Sequence, residues 1–315
     1  MKRTTLLFLL VVLVFAVQPL AAQDEAGDAS SSTEIVLQLS SLPEAKVQFN
    51  YKYKLPFLQG SGPLTEGNNI TFKAGAELTP ISLGGNAEAV LTPIAFLQFY
   101  AGGRLGSGWK AKLGGDLYGI GKNTDVAGIS TWEGSAFDGL LWGVHIGGTF
   151  QFDFAALFPG EWNHVVLQSS HEFEYSGYTN AKKFESWWME HDGGENVNGW
   201  TYSGNIFVGY QMPIFLDTIG ILTEMDINLY VTPYRSDWGD DITFWKFALL
   251  SHFTVTERFG AALLVQFRTV RNFDNYKKEL YKDPVPDDVY YQIRDFKGSS
   301  RLEFYRVAAI LSYKL

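Results

Sequence analysis

The sequence predicts an all-β protein, a single antiparallel β-barrel that spans an outer membrane. Three observations predict it. Segments in which polar and apolar residues alternate recur almost to the last residue, as in KVQFNYKYKL at 46–55. From the fifth such segment onward the connections alternate between long and short, the habit of bacterial barrels with long outer loops and short periplasmic turns. The apolar faces end in aromatic residues such as Tyr175, Tyr202, Trp245 and Tyr305, which suit a lipid–water interface.

The chain opens with a basic pair, Lys2 and Arg3, an apolar run from Leu6 to Val17, and Leu20-Ala21-Ala22. That order describes a secretory signal peptide over 1–22, with the mature chain starting at Gln23. Residues 23–32 are small and polar and read as a flexible lead-in. The barrel is expected over 33–315. The chain contains no cysteine, so neither a disulfide nor a lipid-anchored cysteine is available. After the first stretch no apolar run approaches the ~18 residues of a membrane helix. Aromatic residues make up 16% of the chain and glycines number 32, a mixture that favours strands and turns. The formal net charge of −9 becomes more negative once Lys2 and Arg3 leave, which argues against nucleic acid as a partner.

Twelve strands are expected. The first covers 33–40, with Ile35, Leu37 and Leu39 on one face. The second is the opening stretch, with Val47, Phe49, Tyr51 and Tyr53 opposite its lysines, and the third is ITFKAGAEL at 70–78. The repeated phrase Leu-Thr-Pro-Ile at 78–81 and 91–94 brackets a fourth strand, with a Thr-Pro turn at each end. A tight turn at Gly84-Gly85-Asn86 would instead leave Pro93 inside a ladder, where it has no N–H to donate. The remaining strands are expected at 94–106, 139–153, 163–176, 200–212, 221–234, 242–255, 260–272 and 301–315. Long outer loops follow near 107–138, 177–199 and 273–300. Dropping the first strand and merging 69–105 into two gives ten, also even, with both termini in the periplasm. Tyr305, Val307, Ala309, Leu311, Tyr313 and Leu315 share one face up to the terminus. This resembles the C-terminal signal read by the barrel-insertion machinery, although its last residue is usually Phe or Trp.

The phrases LPFLQGSGPLT, LTPIAFLQFYAGG, GSGW, HDGGENVNGW, VGYQMPIF and LVQFRTVRN resemble a family of uncharacterised outer-membrane barrels of spirochaetes. The resemblance implies a location and a fold. It brings no activity and no functional residue.

The polar faces carry the candidate site. Lys46, Lys52, Lys54 and Lys73 lie on early strands; Glu172, Glu174, Glu224 and Asp226 lie on the seventh and ninth; Lys246, Arg268 and Arg306 lie on the last three. A charge inside a narrow lumen needs water or a partner. One reading is a pore for small hydrophilic solutes, polarised by a field between the lysine strands and the acidic strands. The other is a lumen closed by salt bridges. Eight strands leave room only for side chains, 16–18 leave an aqueous channel, and twelve lies between. In the loops, Tyr118, Trp132, Tyr178, Trp187 and Trp188 either form a binding surface or pack on one another over the mouth.

Enzyme and metal signals are weak. Ser169 and His171 sit two apart on the lipid-facing side of the seventh strand. They loosely resemble the outward-facing Ser and His of outer-membrane phospholipases and lipid A deacylases, but in reverse order and with no orienting partner evident. Asp237, Asp240 and Asp241, with His252 at the other end of a strand, do not form a protease constellation. Asp192, Glu195, Asn196 and Asn198 could hold Ca²⁺, but a solvated acidic loop explains them better and their spacing is not that of an EF-hand. GGDLYGIGK lacks the P-loop spacing. The five histidines, at 145, 164, 171, 191 and 252, are dispersed, which fits hydrogen bonding better than ligation. No cofactor or metal is expected. The partners implied are outer-membrane lipid, the insertion machinery and small solutes.

Overall fold

The computed structural model describes residues 29–42, 44–112, 116–126, 129–133, 136–185, 187–190, 196–230, 239, 241–280 and 292–315. The expected signal peptide and most of the lead-in lie outside these residues. Among the described residues seventeen strands run along the chain, all antiparallel to their partners. They are β1 (Ser30–Ser40), β2 (Glu44–Pro56), β3 (Asn69–Leu78), β4 (Ser82–Ile94) and β5 (Leu97–Gly108); then four short ones, β6 (Lys110–Lys112), β7 (Asp116–Tyr118), β8 (Ile120–Val126) and β9 (Ile129–Glu133). After these come β10 (Leu141–Asp153), β11 (His164–Tyr178), the short β12 (Trp187–Met189), β13 (Gly199–Gln211), β14 (Leu216–Asn228), β15 (Phe244–Thr254), β16 (Phe259–Leu280) and β17 (Gln292–Lys314).

The twelve long strands close into one barrel, in the order β1-β17-β16-β15-β14-β13-β11-β10-β5-β4-β3-β2. Each pairs with its sequence neighbour, and β1 closes the ring against β17 from Glu34↔Lys314 to Ser40↔Ala308. Closure leaves no open edge. These are the twelve strands expected from the alternation, so the ten-strand variant falls. β4 runs unbroken through Gly84-Gly85-Asn86, and Pro93 sits where the β4–β5 register shifts between Leu91 and Ile94. A proline belongs there, since a bulge asks for no ladder donor.

Four differences from the expected boundaries have physical causes. β1 starts at Ser30 rather than 33, because Ser30–Ser32 pair with Lys54–Lys52 of β2. Ile81, at the head of the fourth expected strand, is buried before β4 begins, whereas Leu83 is exposed on the outer face. Within the charged stretch, residues 273–280 and 292–300 continue the pairing of β16 with β17, with Phe273↔Phe296 and Leu280↔Gln292 in register. Finally, Tyr305 does not join the outer row. A bulge puts Phe304 opposite Phe267 and Arg306 opposite Gln266, so Tyr305 and Arg306 are both turned inward and buried.

The alternation turns an apolar face outward on every barrel strand. Phe49, Phe72, Phe99, Ile146, Phe173, Val208, Ile221, Leu249, Leu263 and Phe304 are all exposed on the outside, and every barrel strand contributes such residues. A wall of this composition matches hydrocarbon rather than water. Near one end Tyr175 lies between Trp142, 5.2 Å away, and Trp200, 5.6 Å away, an aromatic girdle. Connections 109–140, 179–198, 229–243 and 281–291 leave from one end of the barrel, whereas 154–163, 212–215 and 255–258 turn at the other. Both described termini lie at the short-connection end.

Candidate functional site: the barrel lumen

The charged residues proposed for the lumen lie on barrel strands with their side chains on the inner face, and the ion pairs among the described residues do not span opposite walls. The charges pair with neighbours instead. Lys46 meets Glu77 at 3.2 Å and Lys73 meets Glu88 at 2.8 Å. Lys52 faces Glu34, and Lys54 stands at the foot of β2 opposite Ser30. Arg104 meets Glu174 at 2.7 Å, and Glu172 shares a hydrogen bond with Tyr100. Lys246 meets Asp226 at 3.0 Å, and Arg268 meets Glu303 at 3.1 Å. Oppositely charged residues directly across a strand pair attract most strongly, and the ladder places them there: Lys73↔Glu88 and Glu224↔Lys246 are register partners.

The inner wall has two sectors. Along β2–β5, β10 and β11 it is polar and wet, and Lys73 and Glu88 each keep 21% of their side-chain surface accessible. His145 joins this sector, 3.3 Å from Glu88. Along β13–β17 and β1 the wall carries an apolar cluster of Val36, Phe207, Leu222, Ala248, Leu250, Leu264, Ala308 and Ile310. Val36 is 0% and Leu264 1% exposed, so this sector is dry. It lies at mid-height and below, toward the short-connection end. Above it Arg306 donates to Glu44 and to Gln266, which donates to Glu224, and the Arg268 and Arg306 guanidiniums cover the Tyr305 ring at 4.4 and 4.9 Å.

The loop aromatics divide. Tyr178 and Trp187 do not form an exposed surface; they are 0% and 1% exposed and pack with Ile120 and Leu141. The segment carrying Trp187 is anchored across the mouth, where the Glu190 carboxylate accepts from Thr79 Oγ1 at 2.9 Å and Ser82 Oγ at 2.5 Å in the β3–β4 turn. Trp132 lies on β9 and Trp188 on β12, but their side chains lie outside the described ones. Asp192 and Glu195 also lie outside the described residues. Asn196 donates to the Trp187 carbonyl, and Asn198 both accepts from and donates to the Tyr178 backbone, so these two pin the loop. Among the described residues no group of three or more His, Asp and Glu is placed to hold a metal.

No protein-family model matches the chain, and no curated protein matches it in sequence. Solved structures with similar architecture include the KdgM porin, at 9% identity over 90% of this chain and 99% of that one, with a TM-score of 0.39. The NanC porin shares 7% identity over 91% and 100%, at 0.38. OmpT, an outer membrane protein of Vibrio cholerae, shares 8% over 93% and 100%, at 0.37. At this distance they bring neither a solute nor a residue role to the chain.

Outside the barrel, Ser169 Oγ lies 3.0 Å from His171 Nε2, and His171 Nδ1 lies 2.6 Å from the Tyr202 hydroxyl. Tyr202 is the orienting group that sequence reading missed, because it stands on the next barrel strand, 31 residues on. The other described histidines each bind an acid: His164 with Asp153 at 2.6 Å and His252 with Asp217 at 2.8 Å, besides His145. The residues missed in the lumen are mainly Glu44, Glu77, Glu88, Arg104 and Gln266. Their signal was the alternation itself, which puts each on the polar face.

Proposed function

We propose that the chain is an outer-membrane β-barrel acting as a porin-like channel for small solutes. The observation that carries this reading is the inversion of its two faces: Phe, Leu and Ile outside on all sides, and paired charges with accessible surface inside. The first suits acyl chains, and the second suits a water-lined path. On this reading the long loops face out of the cell and both termini lie in the periplasm. β17 is the strand offered to the insertion machinery, with Leu315 in place of the usual aromatic. The resemblance of the quoted phrases to uncharacterised spirochaetal barrels accords with this location. Hydrophilic solutes would enter through the wet sector along β2–β5 and β10, ahead of the buried apolar tier. Locally paired charges replace the polarised lumen as the source of selectivity. Planar-bilayer recording of the purified mature protein tests this: discrete conductance steps support a channel, and lasting silence from folded protein rejects it.

A closed barrel acting through its loops is the second reading. The buried apolar sector and the latched loop favour it, and the same recording decides. An acyl hydrolase at Ser169 has the hydrogen-bonded line to Tyr202 in its favour. Ser169 is in ladder register on both sides, with Phe150 and Ile206, so the backbone at Ser169 offers no free pair of N–H donors for an oxyanion. The chain is therefore read as non-enzymatic.

A further inference from the structure

We infer that Phe207, together with Leu222, determines which solutes cross the lumen, favouring small neutral or amphipathic molecules over hydrated ions. The inference rests on the channel reading and adds a solute class to it.

Phe207 and Leu222 are register partners on β13 and β14, and Ala248 follows on β15. All three face inward and are buried. They form the upper row of the dry sector. Two residues along the same strands, toward the long loops, stand Glu224 and Lys246. A solute entering from the loop end thus passes a tier of paired charges and then a tier of hydrocarbon. An ion that has exchanged water for charged side chains finds no such exchange at the second tier, and apolar constrictions resist it by dewetting. A neutral solute with an apolar face loses little there.

The placement of the Phe207 ring is specific. The ring lies flat against the wall over two inward glycines: a Cβ at Gly209 would meet Phe207 Cε1 at 2.5 Å, and one at Gly220 would meet Phe207 Cε2 at 2.5 Å. No other residue type leaves that space. The two glycines give the largest side chain of the apolar cluster its place against the wall. Gly147 plays the same part for the Tyr100 ring in the wet sector, which makes glycine niches a general device of this lumen.

The absence of cysteine allows a direct test. With Leu222→Cys in the otherwise unchanged chain, neutral methyl methanethiosulfonate should react at least about tenfold faster than its trimethylammonium-ethyl counterpart, as an apolar constriction requires. Adding Phe207→Ala should bring the two rates together and raise ion conductance. Gly220→Ala keeps Phe207 but pushes its ring toward the axis, and should lower conductance. Circular dichroism of each variant checks that the barrel has formed, and Gly220→Ala serves if Phe207→Ala does not fold. Equal labelling by both reagents while Phe207 is present overturns the constriction, even if the protein conducts. Silence of the unchanged protein and of both variants overturns the channel, and the solute class with it, even if labelling is unequal.

Discussion

Arg306 reaches over β1 to Glu44. Its Nη1 lies 2.9 Å from the Glu44 Oε2, and the two side chains are 2% and 5% exposed. The bond joins β17 to β2 across the strand that closes the barrel. The same guanidinium donates from Nε to Gln266 Oε1 at 3.1 Å, and Gln266 donates to Glu224. Four strands are thus tied at the seam where the two ends of the sheet meet.

Removing one partner of this pair leaves a buried charge alone. Glu44→Ala or Arg306→Ala should destabilise the folded barrel by about 3–5 kcal/mol, whereas a double replacement by apolar residues of similar volume, Glu44→Leu with Arg306→Met, should recover most of it. Urea unfolding midpoints of protein folded into lipid vesicles measure this. Equal losses in the single and double variants would show that the seam does not depend on the pair.

Local pairing of lumen charges predicts a different mutational pattern from a field between opposite walls. Exchanging Lys73 and Glu88, as Lys73→Glu with Glu88→Lys, preserves the register pair and should leave ion selectivity near that of the parent. Neutralising one member, as Glu88→Gln or Glu174→Gln, leaves an excess of positive charge beside the path and should shift permeability toward anions by about twofold or more. Reversal potentials in a salt gradient separate the cases. A large shift on exchange would restore the field.

Glu190 should hold the Trp187 segment over the mouth. Glu190→Ala leaves the Thr79 and Ser82 hydroxyls without this acceptor, a loss of about 1–3 kcal/mol for buried polar groups. Amide hydrogen exchange over 187–190 and over the β3–β4 turn should accelerate together, while barrel strands such as β13 should be unaffected. Unchanged exchange in both segments would mean that the packing of Trp187 against Tyr178 suffices alone.

Strand number and facing were legible because lipid enforces a period of two on every strand. Val47, Phe49, Tyr51 and Tyr53 have no alternative to the outside, and one residue of slip would put Lys52 into hydrocarbon. The inner face is under no such rule, since water, a salt bridge or hydrocarbon packing all satisfy it. Val36, Phe207 and Leu222 therefore read as lapses in the polar face, although together they build the dry sector. The partners of the lysines were hidden for a related reason: Lys73 and Glu88 are joined by strand register, not by a motif. Tyr305 misled because a bulge is invisible in the alternation until a partner strand is known. The charged run 273–300 reads as a loop because its polarity hides the pairing of 273–280 with 292–300 past the apolar belt.

His171 interrupts an outer wall that is otherwise apolar on β10 and β13, and its hydrogen bonds are met by Ser169 and Tyr202 rather than by the medium. If the cluster serves only to satisfy itself, an apolar replacement of all three should be tolerated, because removing both partners of a hydrogen bond together leaves nothing unsatisfied. The triple variant Ser169→Ala, His171→Leu, Tyr202→Phe should then fold into lipid vesicles with a stability within about 1 kcal/mol of the parent or above it, since polar groups on the lipid face cost free energy in proportion to their depth. His171→Leu alone should be less stable than the triple variant, because it strands two hydroxyls in hydrocarbon. Vesicle phospholipid should stay intact with parent and variants alike. Release of fatty acid by the parent, lost in Ser169→Ala, would turn the cluster from a breach in the belt into a catalytic centre.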